Sequence, residues 1–530
     1  MSRMPRPTDR TLLRSVPLSL TSSRRGHSCK RRTTTNLTAA RSSPEKAGGG
    51  GGVVNCSLLR TRRTSFVVAA CVLLLVSPSV SVHAAEPVVR EGVHLRLTSD
   101  VNDAALLADL VDSFDAAVPQ WLAFWGLPAN AADNWKVDGY LMRDADAFRR
   151  SGALPDTLPP FENGFATPTA IWVHYQSTVY YNRHLILHEG VHALAFTLFG
   201  GSGPSWYSEG TAELLATHRD RQRAERDPRQ ANGLLAQSAQ EFRINELPQS
   251  VDDSPMWGRY RVVAERRQAG ELPTLASVLK LPTELNGDVE TYTWCWAAAM
   301  MLTAYDDTRE AYLHAARQGR DSSPAFTTQF YRDISHQWPA LRARWRLWLD
   351  DLEFGFDRAR YRVGLSTDDP KYDGRNHSLN IDAARGWQSA GCWFPAGTLQ
   401  LRAGGQCVIV AKENLQPSAE KAIAARDWLS TPAGITVHHH RGYPIGQLQV
   451  CVLPIPSAQD KKMAELDIQA PFFSRIVSAG DESTGSFADV ATIQINSPSW
   501  VLFRINDAPG ERGRYQRADN RRGYQVEIAR

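Results

Sequence analysis

The most informative segment of the sequence reads Arg183-His184-Leu185-Ile186-Leu187-His188-Glu189-Gly190-Val191-His192-Ala193-Leu194. It contains the pattern H-E-x-x-H inside an apolar run, which predicts a helix. A spacing of four residues places His188 and His192 on one helical face, where both imidazoles can reach one metal ion. Glu189 lies about 100° round the helix from His188. Its carboxylate can therefore contact a water molecule bound to that metal without being a ligand itself.

The same pattern also has a purely structural interpretation, because short patterns with three fixed positions recur by chance. Apolar neighbours such as Leu187 and Val191 would bury this helix, and buried histidines can be satisfied by carbonyl partners. His184 lies one turn before His188 and shares its face. Three histidines along one straight helix span about 12 Å, so we expect His184 to lie outside the ligand set.

A second stretch offers a further ligand, Glu209, which lies 17 residues after His192. It reads Pro204-Ser205-Trp206-Tyr207-Ser208-Glu209-Gly210-Thr211-Ala212-Glu213-Leu214. We expect a helix here, with Ser205 or Ser208 as its cap. A catalytic zinc needs three protein ligands and one open position. If Glu209 is the third ligand, Glu213 on the same face can accept a hydrogen bond from a ligand imidazole. No basic residue lies three or four places from either carboxylate within this stretch, which disfavours a surface salt bridge.

Residues 184–215 resemble the gluzincin peptidases, the group that contains thermolysin and the zinc aminopeptidases. They resemble most of all the peptidase MA-like domains of exported bacterial proteins. The resemblance implies His188, His192 and Glu209 as zinc ligands and Glu189 as the general base. It also implies hydrolysis of peptide bonds through a zinc-activated water.

Tyr292 is the candidate donor to the oxyanion that forms during such a reaction. It begins an apolar helix that resembles the Y-x-x-x-W helix of peptidase MA-like proteins, with Tyr292 as the Y and Trp296 as the W of that pattern. The alternative is a core tyrosine with a satisfied hydroxyl group.

The amino-terminal segment differs in charge and pattern from the rest of the chain. Residues 1–85 hold 14 Lys and Arg against 2 Asp and Glu, which leaves 46 basic and 54 acidic residues in the remainder. Basic residues before the apolar run 66–76, and small residues near Ala85, predict a signal peptide near residues 60–85 and an exported protein, periplasmic or extracellular. An uncleaved signal anchor and a translation start inside this leader are the alternatives.

We expect no stable membrane span in the mature chain, because 11 strongly apolar residues are too few to cross a bilayer. The acidic remainder argues against nucleic-acid binding.

The mature chain changes character near residue 360. Helical patterns at 104–124, 183–199 and 292–305 precede this point, and short strand-like runs at 398–401, 407–411, 448–453 and 500–505 follow it. We therefore predict a helix-rich α+β catalytic domain of zincin type at 86–360, a linker at 361–378 and an all-β sandwich at 379–530.

The mature chain contains four cysteines: Cys295, Cys392, Cys407 and Cys451. An exported chain permits them to form disulfides, and the pairing is undetermined.

The strand-rich part also resembles a known family. Matches in order at 386–391, 395–401, 446–448, 502–510 and 519–528 are similar to the bacterial galactophilic lectins of PA-I type. The resemblance implies a β-sandwich that binds galactose through calcium, with Asp507, Asp519 and Asn520 where the lectin supplies calcium ligands. The intervening loop is longer than in the lectin pattern and carries arginines, including Arg517, whose charge opposes a divalent ion. A turn capped by Asp and Asn is the alternative.

These patterns together predict an exported zinc metallopeptidase of gluzincin type that acts on a peptide or protein substrate. The carboxy-terminal sandwich would direct it to a cell-surface glycan or another surface. Two rival functions remain: a glycan- or surface-binding protein with a degenerate zincin domain, and a zinc hydrolase of a non-peptide amide or ester.

Overall fold

The computed structural model of this chain describes residues 87–219, 242–282, 288–412, 426–455, 474–475, 490–510 and 517–530. The predicted signal peptide and most of the loop that precedes Arg517 lie outside these residues. Residues 82–530 belong to one compact unit. Its described part mixes helices and strands, as the sequence predicts at this coarse level.

A five-stranded sheet opens the described chain. Its strands are β1 (Val88–Glu91), β2 (Leu95–Ser99), β3 (Val137–Met142), β4 (Gly164–Ala166) and β5 (Ala170–His174). The strand order is β1-β2-β3-β5-β4, with β2, β3 and β5 parallel and the two outer strands antiparallel to their neighbours. The sequence patterns did not identify these strands, because each is short and alternation in so few residues is a weak signal.

Ten helices accompany and follow this sheet in the described residues. They are α1 (Ala104–Phe124), α2 (Ala145–Arg150), α3 (Val179–Phe199), α4 (Ser205–Ala216), α5 (Arg259–Ala269), α6 (Leu275–Val278), α7 (Val289–Ala304), α8 (Asp306–Ala315), α9 (Pro324–Ile334) and α10 (Trp338–Asp351). The helices predicted from the patterns at 104–124, 183–199 and 292–305 are confirmed as α1, α3 and α7.

Helix α3 lies inside the core instead of on its surface. Every residue from Asn182 to Ala195 is buried, and the helix contacts α1, α4 and the sheet. The burial that its apolar neighbours predict is therefore confirmed for residues 182–195. The polar groups that α3 carries need partners within the protein, because they have no access to water.

Gly190 permits the close contact between α1 and α3. A Cβ atom at this position would overlap the ring of Phe114 and lie 2.9 Å from the ring of Trp121. The glycine costs about 1 kcal/mol of helix propensity relative to alanine. Alanine would instead overpack the core, so the departure from a good helix former has a packing reason.

The strand-rich part contains two larger sheets. Its strands are β6 (His377–Asp382), β7 (Gln388–Phe394), β8 (Gly397–Gly404), β9 (Cys407–Val410), β10 (Trp428–Ser430), β11 (Ile435–His440), β12 (Tyr443–Ile445), β13 (Leu448–Pro454), β14 (Ser474–Arg475), β15 (Ala491–Ile495), β16 (Ser499–Ile505) and β17 (Arg521–Ala529). One sheet has the order β10-β9-β17-β8-β15 with β6 also paired to β17, and the other has the order β14-β13-β16-β7. The four strand predictions at 398–401, 407–411, 448–453 and 500–505 are confirmed as β8, β9, β13 and β16.

Strand β16 of the four-stranded sheet is buried on both faces, because its side chains alternate between two cores. Val501 and Phe503 pack with residues of the six-stranded sheet, whereas Trp500 and Leu502 pack with residues of α10. The guanidinium group of Arg504 forms an ion pair with Asp351 at the end of α10. The helical and strand-rich parts therefore share an apolar and ionic contact.

The segment that we predicted as a linker contributes to this contact. Tyr361, Val363 and Leu365 are buried in the neighbouring cores, so this segment is packed. The domain boundaries themselves stay a prediction.

Two further features concern the compartment. Within the residues described, no helix has both the length and the hydropathy needed to cross a bilayer. All four cysteines of the described chain are buried, and no disulfide joins any two of them.

Candidate metal centre

His188 and His192 face each other one turn apart on α3. Thr178 caps the start of this helix by accepting a hydrogen bond from the backbone N–H of Tyr181. The two imidazole Nε2 atoms are 3.1 Å apart, and each histidine is 7% exposed. Their ring nitrogens therefore converge on one point at the rim of the buried core.

Glu209 joins this pair from α4. Its Oε2 atom lies 3.1 Å from Nε2 of His188 and 3.4 Å from Nε2 of His192. Tetrahedral ligands with bonds of about 2 Å to one ion lie about 3.3 Å from each other. The three predicted ligand atoms thus form a triangle of the size that a zinc ion requires, and His188, His192 and Glu209 could hold a metal. Glu209 has the most exposed side chain of the three, at 19%, so the site opens to solvent on that side.

Gly210 allows α4 to pack closely against α7 at the position next to Glu209. A Cβ atom at position 210 would lie 2.7 Å from the backbone oxygen of Cys295 on α7. Only glycine permits the two helices to approach this closely. The glycine that follows Glu209 in the sequence therefore fixes the depth of α4 in the core.

Glu213 lies behind His188, as the sequence predicts. Its Oε1 atom is 3.4 Å from Nδ1 of His188, and its Oε2 atom is 3.4 Å from Nε2 of His184. The sequence did not reveal the partner that holds it. Arg259 donates from Nε and Nη2 to the two carboxylate oxygens, at 3.0 and 2.7 Å. The sequence disfavours a surface salt bridge at Glu213, and this ion pair is instead buried, with its basic partner on α5.

Ser208 contacts the candidate ligand His192 and does not cap α4. Its hydroxyl group lies 3.2 Å from Nδ1 of His192 and donates a hydrogen bond to the hydroxyl group of Ser202. Helix α4 begins after Pro204 without a side-chain cap, so the predicted capping by Ser205 or Ser208 was wrong. A hydrogen bond to the outer nitrogen of a ligand histidine fixes the orientation of the ring.

His184 stays outside the triangle, as predicted. Its Nδ1 atom contacts the backbone oxygen of Ala216 at 3.2 Å, while Nε2 faces Glu213. The donor atoms of His184, His188 and Glu213 form a second cluster close enough for a metal ion. Arg259 already supplies a cation to this cluster, which favours the His188, His192 and Glu209 triangle as the metal centre.

Glu189 is buried beside the edge strand β4. A Cβ atom at Gly164 would lie 2.5 Å from Oε1 and 2.8 Å from Cγ of Glu189. The absence of a side chain at position 164 therefore leaves the space that the Glu189 carboxyl group occupies. Burial raises the pKa of Glu189, although the neighbouring histidines oppose this effect.

The charges of the site depend on each other. Burial alone would lower the pKa of His188, but the carboxylates of Glu209 and Glu213 outweigh it and hold this pKa well above its usual range. Burial opposes ionisation of Glu209, yet His192 and His188 lower its pKa to about 2. Arg259 and His184 likewise hold the pKa of Glu213 well below its usual range against the effect of burial. Without a metal, these directions favour a protonated His188 beside the ionised carboxylates of Glu209 and Glu213.

Tyr292 lies close to this group on the first turn of α7. Its ring centroid is 6.2 Å from that of His188, and the guanidinium carbon of Arg259 is 5.8 Å from the ring centroid. Burial, followed by the charges of Glu209, Glu189 and Glu213, raises the pKa of Tyr292 above its usual range. The tyrosine therefore keeps its proton and can donate a hydrogen bond at neutral pH.

The three predicted calcium ligands have protein partners. Asp507 accepts hydrogen bonds from the side chain of Asn520 at 2.8 Å and from the backbone N–H of Ala508 at 2.8 Å. Asp519 instead points to the backbone N–H of Ala411, 3.2 Å away.

A buried arginine occupies the surroundings of Asp507. Arg517 donates hydrogen bonds to the backbone oxygens of Arg385, Ile505 and Asp507, at 2.9, 2.8 and 2.6 Å. Carbonyl and carboxylate oxygens are the groups that calcium prefers, and here a guanidinium cation takes them. These side chains do not fit a calcium ion while Arg517 is in place. Calcium itself stays a prediction that these contacts do not favour.

No protein-family model matches this chain, and no curated protein was found to match it.

Proposed function

We propose that this chain is a zinc-dependent peptidase of gluzincin type. The observation that carries this proposal is the convergence of three ligand atoms within 3.1 to 3.4 Å, with Glu189 on the next position of the same helix. Two neutral imidazoles, one carboxylate and an open side are typical of catalytic zinc sites. Closed structural sites have four protein ligands, which disfavours a purely structural metal.

Zinc, when bound, supplies a Lewis acid and lowers the pKa of a water molecule towards neutrality. His188, His192 and Glu209 would hold it. Glu189 takes a proton from the attacking water and returns it to the leaving amine. The raised pKa of its buried carboxyl group suits a residue that must hold this proton between two steps. Tyr292 is protonated and can donate a hydrogen bond to the oxyanion.

The edge strand β4 favours a peptide as the substrate. It pairs with β5 on one side, while none of the strands described pairs with its other side. Its first residue, Gly164, borders Glu189. An extended peptide can add to such an edge through backbone hydrogen bonds and so present its carbonyl group beside the general base. A small ester or amide would not use this strand.

We also propose a zincin-like catalytic domain, a lectin-like sandwich and export from the cytoplasm for this chain. The sheet, the buried helix α3 and the following helices suit a zincin-like catalytic domain, and the two strand layers suit a lectin-like sandwich. Export through a signal peptide near residues 60–85 would place the enzyme outside the cytoplasm, where it could meet peptides or surface glycans. The contacts of Arg517 favour a sandwich that does not depend on calcium for sugar binding.

Zinc analysis combined with a peptide-library assay tests this proposal. We expect one zinc ion per chain, cleavage of peptides in the library, loss of cleavage with a zinc chelator and recovery when zinc is added back. Cleavage that continues without metal would contradict the proposal. Bound zinc without any turnover would favour the rival binding protein, and turnover of small esters alone would favour the non-peptide hydrolase.

Gly164 offers a test of the position of Glu189. We expect Gly164→Ala to lower kcat by about a hundredfold, since the new methyl group must displace the carboxyl group and a misplacement near 1 Å can cost this much. Zinc content and Tm should remain close to those of the unmodified protein. Gly364→Ala is the matched control, because its Cβ would have no neighbour within 4 Å. Equal kcat values for the two variants would contradict the assigned role of Gly164.

A further inference from the structure

Arg259 is a buried cation at the back of the metal centre. It is the first residue of α5 and is only 4% exposed. Its guanidinium group bonds both oxygens of Glu213 and donates from Nη1 to the backbone oxygen of Val289 at 3.1 Å. Val289 is the first residue of α7, the helix that carries Tyr292. Arg259 therefore connects α4, α5 and α7 in one place.

The carboxylate of Glu213 is held by arginine more firmly than by histidine. Its distances to Arg259 are 2.7 and 3.0 Å, whereas its distances to His188 and His184 are both 3.4 Å. A planar guanidinium group binds a carboxylate through two parallel hydrogen bonds and so fixes its plane. The orientation of Glu213 towards His188 is thus set from the side of Arg259.

The carboxylate of Glu213 lies 3.4 Å from Nδ1 of His188, on the side of the ring away from Glu209 and His192. A carboxylate beside Nδ1 favours a proton on that nitrogen, which leaves the lone pair of Nε2 directed at Glu209 and His192. Without the arginine, Glu213 would be a buried carboxylate that lacks its cation. It would turn towards another donor or take up a proton, and His188 would lose its fixed partner.

We propose that Arg259 is a positioning residue of the metal centre, which holds Glu213 against His188 and ties this pair to the start of α7. The inference rests on the proposed zinc site but concerns a residue that makes no contact with the triangle of ligand atoms. Arg259 also lies over the ring of Tyr292, so the same group joins the ligand side of the site to its candidate oxyanion donor.

Zinc affinity is the readout that tests this role. We expect Arg259→Met to weaken zinc binding by about 10- to 100-fold, as measured by competition with a chromophoric chelator. Arg259→Lys retains the charge but cannot form two parallel bonds, so we expect a loss of about threefold to tenfold. The visible spectrum of the cobalt-substituted protein should change in both variants, because it reports the ligand field and not the fold.

Arg183→Met is the matched control. Arg183 is also buried at 1% exposure, and its Nε and Nη2 atoms both donate to Oδ2 of Asp109, at 2.9 and 2.6 Å. It lies on α3 but does not contact Glu213, so its loss should lower Tm and leave zinc affinity within about threefold.

The possible outcomes separate this inference from the proposed function. Equal zinc affinities for the Arg259 and Arg183 variants would overturn the positioning role. If Arg259→Met does not fold, an unchanged affinity and cobalt spectrum in Arg259→Lys would overturn it as well. Failure of the unmodified protein to bind zinc would instead refute the proposed function.

Discussion

Replacing Glu189 by glutamine is expected to lower peptide turnover by about 10²- to 10⁴-fold while zinc content stays at one ion per chain. Glutamine has the same shape and fits the space beside Gly164, but it cannot take up the proton of the attacking water. The ligand triangle does not include Glu189, so metal binding should be preserved. The measurement is kcat on a peptide from the library together with metal analysis of the same sample.

Glu265→Gln is the control for this substitution. Glu265 lies on α5 with its side chain 66% exposed. Its substitution is the same chemical change as Glu189→Gln, but it is made at the surface. Full activity is expected for it. If Glu189→Gln were as active as this control, the general-base mechanism would have to be discarded.

Zinc is expected to stabilise the protein more strongly as the pH rises from 5 to 8. The raised pKa of His188 means that a proton competes with the metal until the pH exceeds that pKa. While this proton remains bound, each lower pH unit can weaken zinc binding by up to about tenfold. A ligand at 100 times its Kd adds about 2.7 kcal/mol to the free energy of unfolding, so weaker binding at low pH shows as a smaller rise in Tm.

Without bound metal, the free energy of unfolding should instead fall as the pH rises through the neutral range. A raised folded pKa means that the stability contributed by His188 is present below its usual pKa of 6.5 and is lost as the pH rises through the folded value. The lowered pKa of Glu209 means that its contribution is present above its usual 4.5 and is lost as the pH falls towards about 2. Between pH 4.5 and 6.5 both contributions are present.

Thermal unfolding with excess zinc or with chelator, at several pH values, measures this effect. His192→Ala removes one ligand and should abolish the zinc-dependent rise in Tm at every pH. A zinc effect that is as large at pH 5 as at pH 8 would contradict competition between proton and metal at His188.

The ligand residues could be predicted from the sequence because their geometry is local. A spacing of four residues places His188 beside His192, and the same spacing places Glu209 beside Glu213. The sequence could not show that α4 approaches α3 closely enough for Glu209 to complete the triangle. That approach depends on Gly210 and on the packing of α4 against α7, which involve residues far apart in the chain.

The supporting groups were found only in the folded protein. Arg259 reaches Glu213 from 46 residues away, and Gly164 borders Glu189 from a strand that no pattern revealed. The sequence pattern favoured Ser208 as a helix cap, although its position one residue before Glu209 in the same predicted helix also places it near the candidate ligands. Its contact with His192 still requires the angle between α3 and α4, which the sequence does not give.

The sequence by itself determined the candidate ligands, the candidate base, the order of helix-rich and strand-rich parts and the change in charge after residue 85. These follow from spacing, periodicity and composition, which are properties of neighbouring residues. The folded chain was needed to reveal the ion pair of Arg259 with Glu213, the contacts of Arg517 around Asp507 and the packing of α10 on the four-stranded sheet. The physical reason is that burial and charge pairing depend on which distant segments meet, and this is fixed by packing of the whole chain.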